Sequence, residues 1–240
     1  MVSTLSRTEL LDAYAWPAGP WLRTNFVYSL DASLTRDGVS AGLSGPADSA
    51  VLHRLRGGAD AVLVGASTAV AENYIGVKLP DAEQQARTAR GQGGPPPLVV
   101  VTRSGQIGEP SRFLTHTTTG NYLLLTTDDP AAYERAAGHV ERSEGTMTLL
   151  HAPDGLGQGI GLLHERGLLR ILCEGGPHVS GALAAEGLID ELCVTLSPAA
   201  GGEGRGGTTP QATDEYTPAF VAAVDHFLFT RWIRRQEGDA

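Results

Sequence analysis

Continuous apolar runs separated by short helical patterns dominate the chain. Runs such as "ADAVLVG" (59–65), "LVVVTRS" (98–104) and "LLRILCE" (168–174) are typical of strands buried on both faces of a sheet. "PADSAVLHRLRGG" (46–58) carries apolar residues at helical spacing, begins with proline and ends on two glycines, as helices often do. This alternation predicts an α/β protein with a largely parallel sheet and helices on both faces.

The remaining pattern completes the predicted architecture. It predicts strands at 21–31, 121–127, 146–152, 190–197 and 225–235, helices at 160–167 and 178–187, and a long glycine-rich loop at 199–218. No helical pattern separates the last two strands, so we expect an antiparallel pair at one edge of the sheet. Residues 1–20 are expected to form an N-terminal arm, and 21–240 a single domain.

Composition narrows the functional classes. The 240 residues are 41% hydrophobic and 19% charged, which is ordinary for a globular protein. The net charge of −9 argues against a nucleic-acid partner, whereas amides and single arginines could still bind a small anion. The N-terminus has no apolar signal region and no run has the length of a membrane span, so we expect a cytoplasmic protein without a membrane partner.

The sequence lacks the motifs of several enzyme classes. The sequence contains no G-x-S-x-G, no H-E-x-x-H and no H-x-E with P-C-x-x-C, and its histidines are scattered, so no metal site is predicted. Cys173 and Cys193 lie in apolar runs and are interpreted as core residues. The glycines at 155, 157, 159 and 161 do not have the spacing of G-x-G-x-x-G, which favours an ordinary loop.

A candidate anion site follows the strand at 168–174. Glu174 ends the apolar run and is followed by Gly175, Gly176, Pro177 and His178, where a helical pattern begins. Glycines let a ligand approach the backbone, and a helix start offers free N–H groups to a phosphate or pyrophosphate. The alternative is a strand-to-helix turn in which the glycines serve only geometry.

Two further strand ends carry polar groups. Ser67 and Thr68 follow a buried strand and could bind a phosphate or ribose, or merely cap a helix. Thr102, Arg103 and Ser104 end another strand and form a candidate clamp for a phosphomonoester such as the 2′-phosphate of NADP. Since parallel strands end at one edge of a sheet, these groups are expected to lie along a common rim.

The first strand ends in Ser29 and Asp31. Aspartate commonly forms turns, but here it would lie at the same sheet end as the other polar groups. We therefore favour contact with a substrate for Asp31.

From about residue 22 onward the chain resembles the reductase domain of bacterial riboflavin biosynthesis. The stretches that carry the resemblance are, in order, "FVYSLDASLTRDG", "LRGGADAVLVGAST", "VVVTRS" and "RILCEGGPHVSGALAAEGLIDELCVTLSP". The resemblance is greatest to a stand-alone actinobacterial branch. It implies a dihydrofolate-reductase-like fold, NADPH as cofactor, a homodimer, and reduction of the ribosyl group of 5-amino-6-(5-phosphoribosylamino)uracil.

The resemblance also implies roles for residues. It places Val27 beside the nicotinamide carboxamide. At the nicotinamide ribose and the pyrophosphate it places two segments: Val64, Gly65, Ser67, Thr68 and Gly175, Gly176, Pro177, His178. At the 2′-phosphate it places Thr102, Arg103 and Ser104. It places Asn25, Ser29, Asp31, Gly45, Asp48, Arg56 and Glu174 on the substrate side. Asp31 and Glu174 are the candidates for orienting the substrate or relaying a proton.

The sequence departs from the family where the substrate phosphate would bind. Gly42 stands where a tryptophan is usual, and Ser49 where an arginine is usual. This departure leaves two alternatives open: a dihydrofolate-reductase-like activity on a pteridine, and an NADP-binding protein without catalysis.

Overall fold

The computed structural model describes residues 3–109, 111–116, 120–205 and 215–235. Its strands are β1 (Ser3–Thr4), β2 (Trp21–Tyr28), β3 (Ser33–Thr35), β4 (Ala61–Gly65), β5 (Leu98–Thr102), β6 (Asn121–Leu125), β7 (Met147–His151), β8 (Arg170–Cys173), β9 (Glu191–Leu196), β10 (Glu203–Arg205), β11 (Tyr216–Val224) and β12 (Phe227–Arg234). Its α-helices are α1 (Arg7–Asp12), α2 (Pro46–Gly58), α3 (Ala66–Ala71), α4 (Asp81–Ala89), α5 (Arg112–Thr115), α6 (Pro130–Arg142), α7 (Leu156–His164) and α8 (Pro177–Ala185), with a 3-10 turn at Ser40–Gly42.

The main sheet has the order β1-β11-β12-β9-β2-β8-β4-β5-β6-β7. From β9 to β7 all neighbouring strands are parallel, while β12 runs antiparallel to both β9 and β11. The predicted α/β fold, with a mostly parallel mixed sheet and an antiparallel C-terminal edge, is confirmed.

The C-terminal edge differs in detail from the prediction. The segment 199–218 was expected to be loop, but β10 lies within it and β11 begins at Tyr216. β10 pairs with the distant β3, a tertiary contact without a local signal, and β11 forms a hairpin with β12 through Asp225 and His226, both at positive φ. The polar segment 81–91, "DAEQQARTARG", has no strand or helix among the predicted elements, and it contains α4.

Helices cover both faces of the sheet and create two apolar cores. On one face α1, α2, α5 and α6 pack over side chains such as Val62 and Val64. On the other face α7 and α8 pack over Leu63 and Cys173. Both cysteines are buried and free, as predicted, and burial raises the pKa of Cys173 to about 11.

Residues 3–20 are part of this packing. β1 pairs with β11, and Leu10 and Tyr14 are buried in the core beneath α2. The boundary near residue 20 stays a prediction. None of the helices in the described ranges is long and apolar enough to cross a membrane.

The parallel register brings the ends of β2, β8, β4 and β5 to one edge of the sheet. Gly65 is paired with Val101, one residue before Thr102, and Leu63 is paired with Cys173. Beyond this edge, β3 and β10 form a separate two-stranded ribbon. The ribbon and the helices that begin at this edge frame a cavity.

Candidate active site

A cavity of about 600 Å³ opens at the carboxyl edge of the sheet. Such a position, beyond the ends of parallel strands, is where α/β proteins bind their ligands. β2, the ribbon segment after β3, α2, α3 and the start of α8 all contribute to its wall. Nine of the residues expected at the site line it: Asn25, Val27, Asp48, Arg56, Ser67, Thr68, Glu174, Gly176 and Pro177.

A glycine cradle, defined here by Gly65, Gly175 and Gly176, lies at the edge of the cavity, and of the three only Gly176 lines it. The Gly65 N–H donates to the Gly175 carbonyl at 2.8 Å, which joins the ends of β4 and β8. Gly175 has φ of 101°, and an added Cβ would lie 2.9 Å from the Phe26 ring. An added Cβ at Gly176 would collide with the hydroxyl of Thr68. The glycines are therefore required by close packing against Phe26 and Thr68, which is the geometric role that the sequence left open as the alternative, and the anion site stays a prediction.

α8 begins directly at this cradle. Gly176 is its N-cap, no side chain caps the helix, and Pro177 occupies the first turn. The peptide bond between Gly175 and Gly176 is cis. Free N–H groups and the positive end of the helix dipole therefore face the cavity rim, where a pyrophosphate would be favoured. His178 is exposed in the same turn and does not line the cavity.

The clamp expected after β5 lies outside the cavity lining. Thr102 is 5% exposed and its hydroxyl donates to the Gln106 carbonyl at 3.5 Å. The Ser104 hydroxyl accepts from the Gln106 N–H at 3.2 Å, whereas Arg103 is exposed. Because β5 neighbours β4, the clamp is one strand away from the glycine cradle on the same edge.

Arg56 and Glu174 form a buried ion pair in the cavity wall. Arg56 Nε and Nη2 donate to the two carboxylate oxygens of Glu174, each at 2.6 Å, and the pair joins α2 to the end of β8. The hydroxyl of Tyr74 donates to the same carboxylate at 2.6 Å. The side chains of Arg56 and Glu174 are 14% and 4% exposed. This triad, Arg56, Tyr74 and Glu174, holds the carboxylate with three donors.

Contacts within the triad shift the pKa values of Arg56 and Tyr74. Burial alone would lower the pKa of Arg56, but the Glu174 carboxylate and Tyr74 outweigh it and raise the pKa. Burial and the adjacent carboxylate raise the pKa of Tyr74 well above its ordinary value. Arg56 therefore remains charged and engages both carboxylate oxygens of Glu174, which suits positioning better than proton transfer. Tyr74 was missed in the sequence because "AENYIG" carries no motif.

Asp31 and Ser29 are occupied in a turn after β2. The Ser29 hydroxyl donates to Asp31 Oδ1 at 2.5 Å, and the Gly201 N–H donates to the same oxygen at 2.9 Å. Neither residue lines the cavity, nor does Gly45, whose added Cβ would lie 2.6 Å from the Phe227 ring. Val64 is fully buried in the core. The catalytic role of Asp31 stays a prediction, and the structure gives it a turn-forming contact.

The two family positions that differ in this chain have distinct surroundings. Ser49 lines the cavity, and its hydroxyl lies 3.3 Å from that of Ser44. Gly42 is not part of the wall, and an added Cβ would lie 2.6 Å from the Arg36 carbonyl oxygen. A larger side chain at position 42 therefore requires a different backbone conformation in the segment between β3 and α2. The described residues contain no cluster of histidine, cysteine, aspartate or glutamate that could hold a metal ion.

The parallel sheet, the cavity at its carboxyl edge and the uncapped helix define an α/β protein with a candidate ligand site at the ends of its parallel strands. Residues 20–221 match the RibD C-terminal domain model, and the chain belongs to that family. The resemblance stated from the sequence motifs is thereby confirmed.

Two curated relatives are equally similar to this chain. The riboflavin biosynthesis protein RibD of Chlamydia muridarum is 27% identical over 185 residues, which is 75% of this chain and 46% of that protein. The 2,5-diamino-6-ribosylamino-4(3H)-pyrimidinone 5′-phosphate reductase of Methanothermobacter thermautotrophicus is 27% identical over 180 residues, 75% of this chain and 78% of that protein. The chain thus spans about half the length of the chlamydial relative.

Among solved structures, a pyrimidine reductase-like protein from Corynebacterium diphtheriae superposes with a TM-score of 0.77 at 23% identity. The match covers 97% of this chain and 96% of that one. At this identity the likeness establishes the shared fold.

Proposed function

We propose that this chain is an NADPH-dependent reductase of the riboflavin-biosynthesis type, which reduces the ribosyl group of a phosphoribosylaminopyrimidine. The observation that carries the proposal is the 600 Å³ cavity, enclosed between a glycine cradle suited to a dinucleotide and a polar wall suited to a heterocycle. Membership of the RibD C-terminal domain family and the name of the archaeal relative support the reaction class.

The cofactor would lie along the carboxyl edge of the sheet. Its pyrophosphate would lie at the start of α8, where no side chain caps the helix and the first N–H groups are available. Ser67 and Thr68 line the cavity beside it. An adenosine 2′-phosphate would reach Arg103 at the neighbouring strand end, which supports NADPH over NADH.

The bound cofactor supplies the hydride, and the chain supplies position and enclosure. Val27 lines the cavity on β2, where the family resemblance places it beside the nicotinamide carboxamide. The Arg56, Tyr74 and Glu174 triad fixes the far wall and positions the substrate. Leu34 and Thr35 of β3 line the cavity, so this side of the ribbon would limit the access of water.

The proposal is tested by mixing the purified chain with NADPH and the phosphoribosylaminopyrimidine and following NADPH absorbance and product mass. Consumption of NADPH with a product heavier by two hydrogens supports it. Binding of NADPH by calorimetry without consumption on any pyrimidine or pteridine would instead identify a non-catalytic NADP-binding protein.

A second candidate function is reduction of a pteridine. Ser49 in the cavity wall favours it, because a short neutral hydroxyl stands where the family usually has an arginine for the substrate phosphate. Turnover of dihydrofolate without turnover of the ribosylaminopyrimidines would replace the first proposal by this one.

We also propose that the protein is a homodimer, as the family resemblance implies. Val221 on β11 and Leu30 after β2 are large apolar side chains that are 39% and 65% exposed. Sedimentation at micromolar concentration tests this proposal, and a single monomeric species would refute it.

A further inference from the structure

Residues 36–44, between β3 and α2, form part of the cavity wall and are called the cavity loop here. Four residues of this loop line the cavity, among them Ser40 and Ser44. α3 and its C-cap residue contribute a second part of the wall, which includes Ser67 and Glu72. The loop and the helix are separate segments of the chain, so the contact that joins them decides how firmly the cavity is enclosed.

One hydrogen bond joins the cavity loop to α3 in the described part of the chain. The Ser40 N–H donates to Glu72 Oε1 at 2.9 Å, across 32 positions of sequence, and the contact is partly buried. Ser40 begins a 3-10 turn without a side-chain cap from its own N-cap residue, so the carboxylate satisfies the first N–H of that turn. Glu72 is the C-cap of α3, where the helix dipole disfavours a negative charge. The contact with the loop, rather than the stability of the helix, therefore accounts for a carboxylate at this position.

The other hydrogen bonds that hold the cavity loop do not involve α3. The Gly38 N–H donates to Glu203 Oε2 at 3.3 Å, which ties the loop to β10. The Ser44 hydroxyl donates to Asp48 Oδ2 at 2.6 Å, which ties it to α2. Leu43 is 1% exposed and anchors the loop among the core residues. Loss of the hydrogen bond to α3 would therefore release the middle of the loop without unfolding it.

Resting on the proposed function, we propose that Glu72 is a positioning residue that keeps the cavity loop closed against α3 and thereby sets how long NADPH stays bound. Ser67 and Thr68 of α3 lie on the cofactor side of the proposed arrangement, so a loop held to α3 encloses the nicotinamide half. A ligand leaves an enclosed site when a wall opens, so its dissociation rate depends on the contact that keeps the wall closed. The role requires no proton or hydride transfer by Glu72.

Hydrogen exchange of the ligand-free protein, followed by mass spectrometry, tests the contact itself. In Glu72→Ala the amides of peptides from 36–44 should exchange at least about fivefold faster, because the Ser40 N–H loses its charged acceptor. The matched control is Glu186→Ala, since Glu186 is the C-cap of α8, accepts from the Gly157 N–H at 2.7 Å and does not line the cavity. It should leave exchange in 36–44 unchanged. Equal exchange of the loop in Glu72→Ala and in the unmodified protein would overturn the proposal.

Stopped-flow displacement of NADPH, followed by its fluorescence, tests the residence time. We expect the dissociation rate to rise about fivefold to tenfold in Glu72→Ala. Glu72→Gln keeps a carbonyl oxygen that can accept from the Ser40 N–H, so its rate should stay within about threefold of that of the unmodified protein. A rate that is unchanged in Glu72→Ala, or raised equally in Glu186→Ala, would contradict the role of Glu72.

Single-turnover hydride transfer separates positioning from catalysis. With both NADPH and the phosphoribosylaminopyrimidine saturating, the rate in Glu72→Ala should stay within about twofold of the unmodified protein, while KM for the pyrimidine rises. A slower transfer with an unchanged NADPH dissociation rate would overturn the proposal, because Glu72 would then act in the chemical step. NADPH binding without turnover of any pyrimidine would overturn the proposed function alone, since exchange and dissociation still decide the role of Glu72. Absence of NADPH binding would overturn both.

Discussion

Replacing Glu174 by glutamine leaves the Arg56 guanidinium buried without its counter-charge. The change keeps the size of the side chain, so packing is preserved and the loss is electrostatic. Two hydrogen bonds of 2.6 Å connect the pair, and only 14% of Arg56 and 4% of Glu174 are exposed, so solvent screens the pair weakly. Breaking such a pair from one side costs about 3–5 kcal/mol of unfolding free energy.

Equilibrium urea unfolding measures this loss. With a slope of about 2–3 kcal/mol per molar urea, the midpoint of Glu174→Gln should fall by about 1–2.5 M. The double variant Arg56→Met with Glu174→Gln removes the unpaired charge and should recover part of the stability. Tyr74→Phe removes one donor and should cost about 1–2 kcal/mol.

The matched control is the Arg235–Glu215 pair, which has a contact of 2.5 Å but side chains that are 43% and 73% exposed. Solvent screening limits Glu215→Gln to less than about 1 kcal/mol. A loss in Glu174→Gln as small as that in Glu215→Gln would refute the claim that burial makes the triad a rigid support of the site.

Three further predictions concern the cradle, the clamp and the core. Gly176→Ala should weaken NADPH binding in calorimetry by at least about tenfold, because the added Cβ collides with the hydroxyl of Thr68. The control Gly94→Ala places its Cβ in open space and should bind NADPH normally. Equal affinities of the two variants for NADPH would contradict the role of the cradle. Arg103→Ala should reduce the kinetic preference for NADPH over NADH by about 10- to 100-fold, and an unchanged preference would remove it from the 2′-phosphate role. Burial would raise the pKa of Glu191, but its contacts with Arg231 and Arg23 outweigh this and lower it. Because the pKa of Glu191 is lower in the folded state, the ionised carboxylate stabilises the protein at pH values above the unfolded pKa of about 4.3, and this stabilisation is lost as the pH falls. In Glu191→Gln the free energy of unfolding, measured in urea at several pH values, should therefore fall less steeply on the acid side. An unchanged decrease on the acid side would contradict this role of Glu191.

Much of the site could be predicted because its residues sit at strand ends. A buried apolar run followed by glycine marks both a strand terminus and a place of close backbone approach, so Gly65, Gly175 and Gly176 were recognisable before the fold was known. Parallel topology then brought them to one rim. The same logic placed the Arg103 clamp at the neighbouring strand end.

The remaining features depend on contacts between distant segments. Arg56 and Glu174 are separated by 118 positions, and each looked like a separate substrate contact until the fold paired them. Tyr74 joined them from a loop with no motif. Asp31 was assigned to the substrate because of its strand-end position, but the Gly201 N–H, 170 positions away, contacts it in a turn. Sequence pattern fixes which side chains reach the edge of the sheet, not which partners they meet there.

Single-turnover mixing of the chain and NADPH with the 2-amino phosphoribosylaminopyrimidinone tests the central claim most directly. The account predicts loss of NADPH absorbance in proportion to enzyme and a ribityl product that has gained two hydrogens. NADPH that stays fully reduced with both this substrate and its uracil counterpart, in a protein that unfolds cooperatively, would contradict the account.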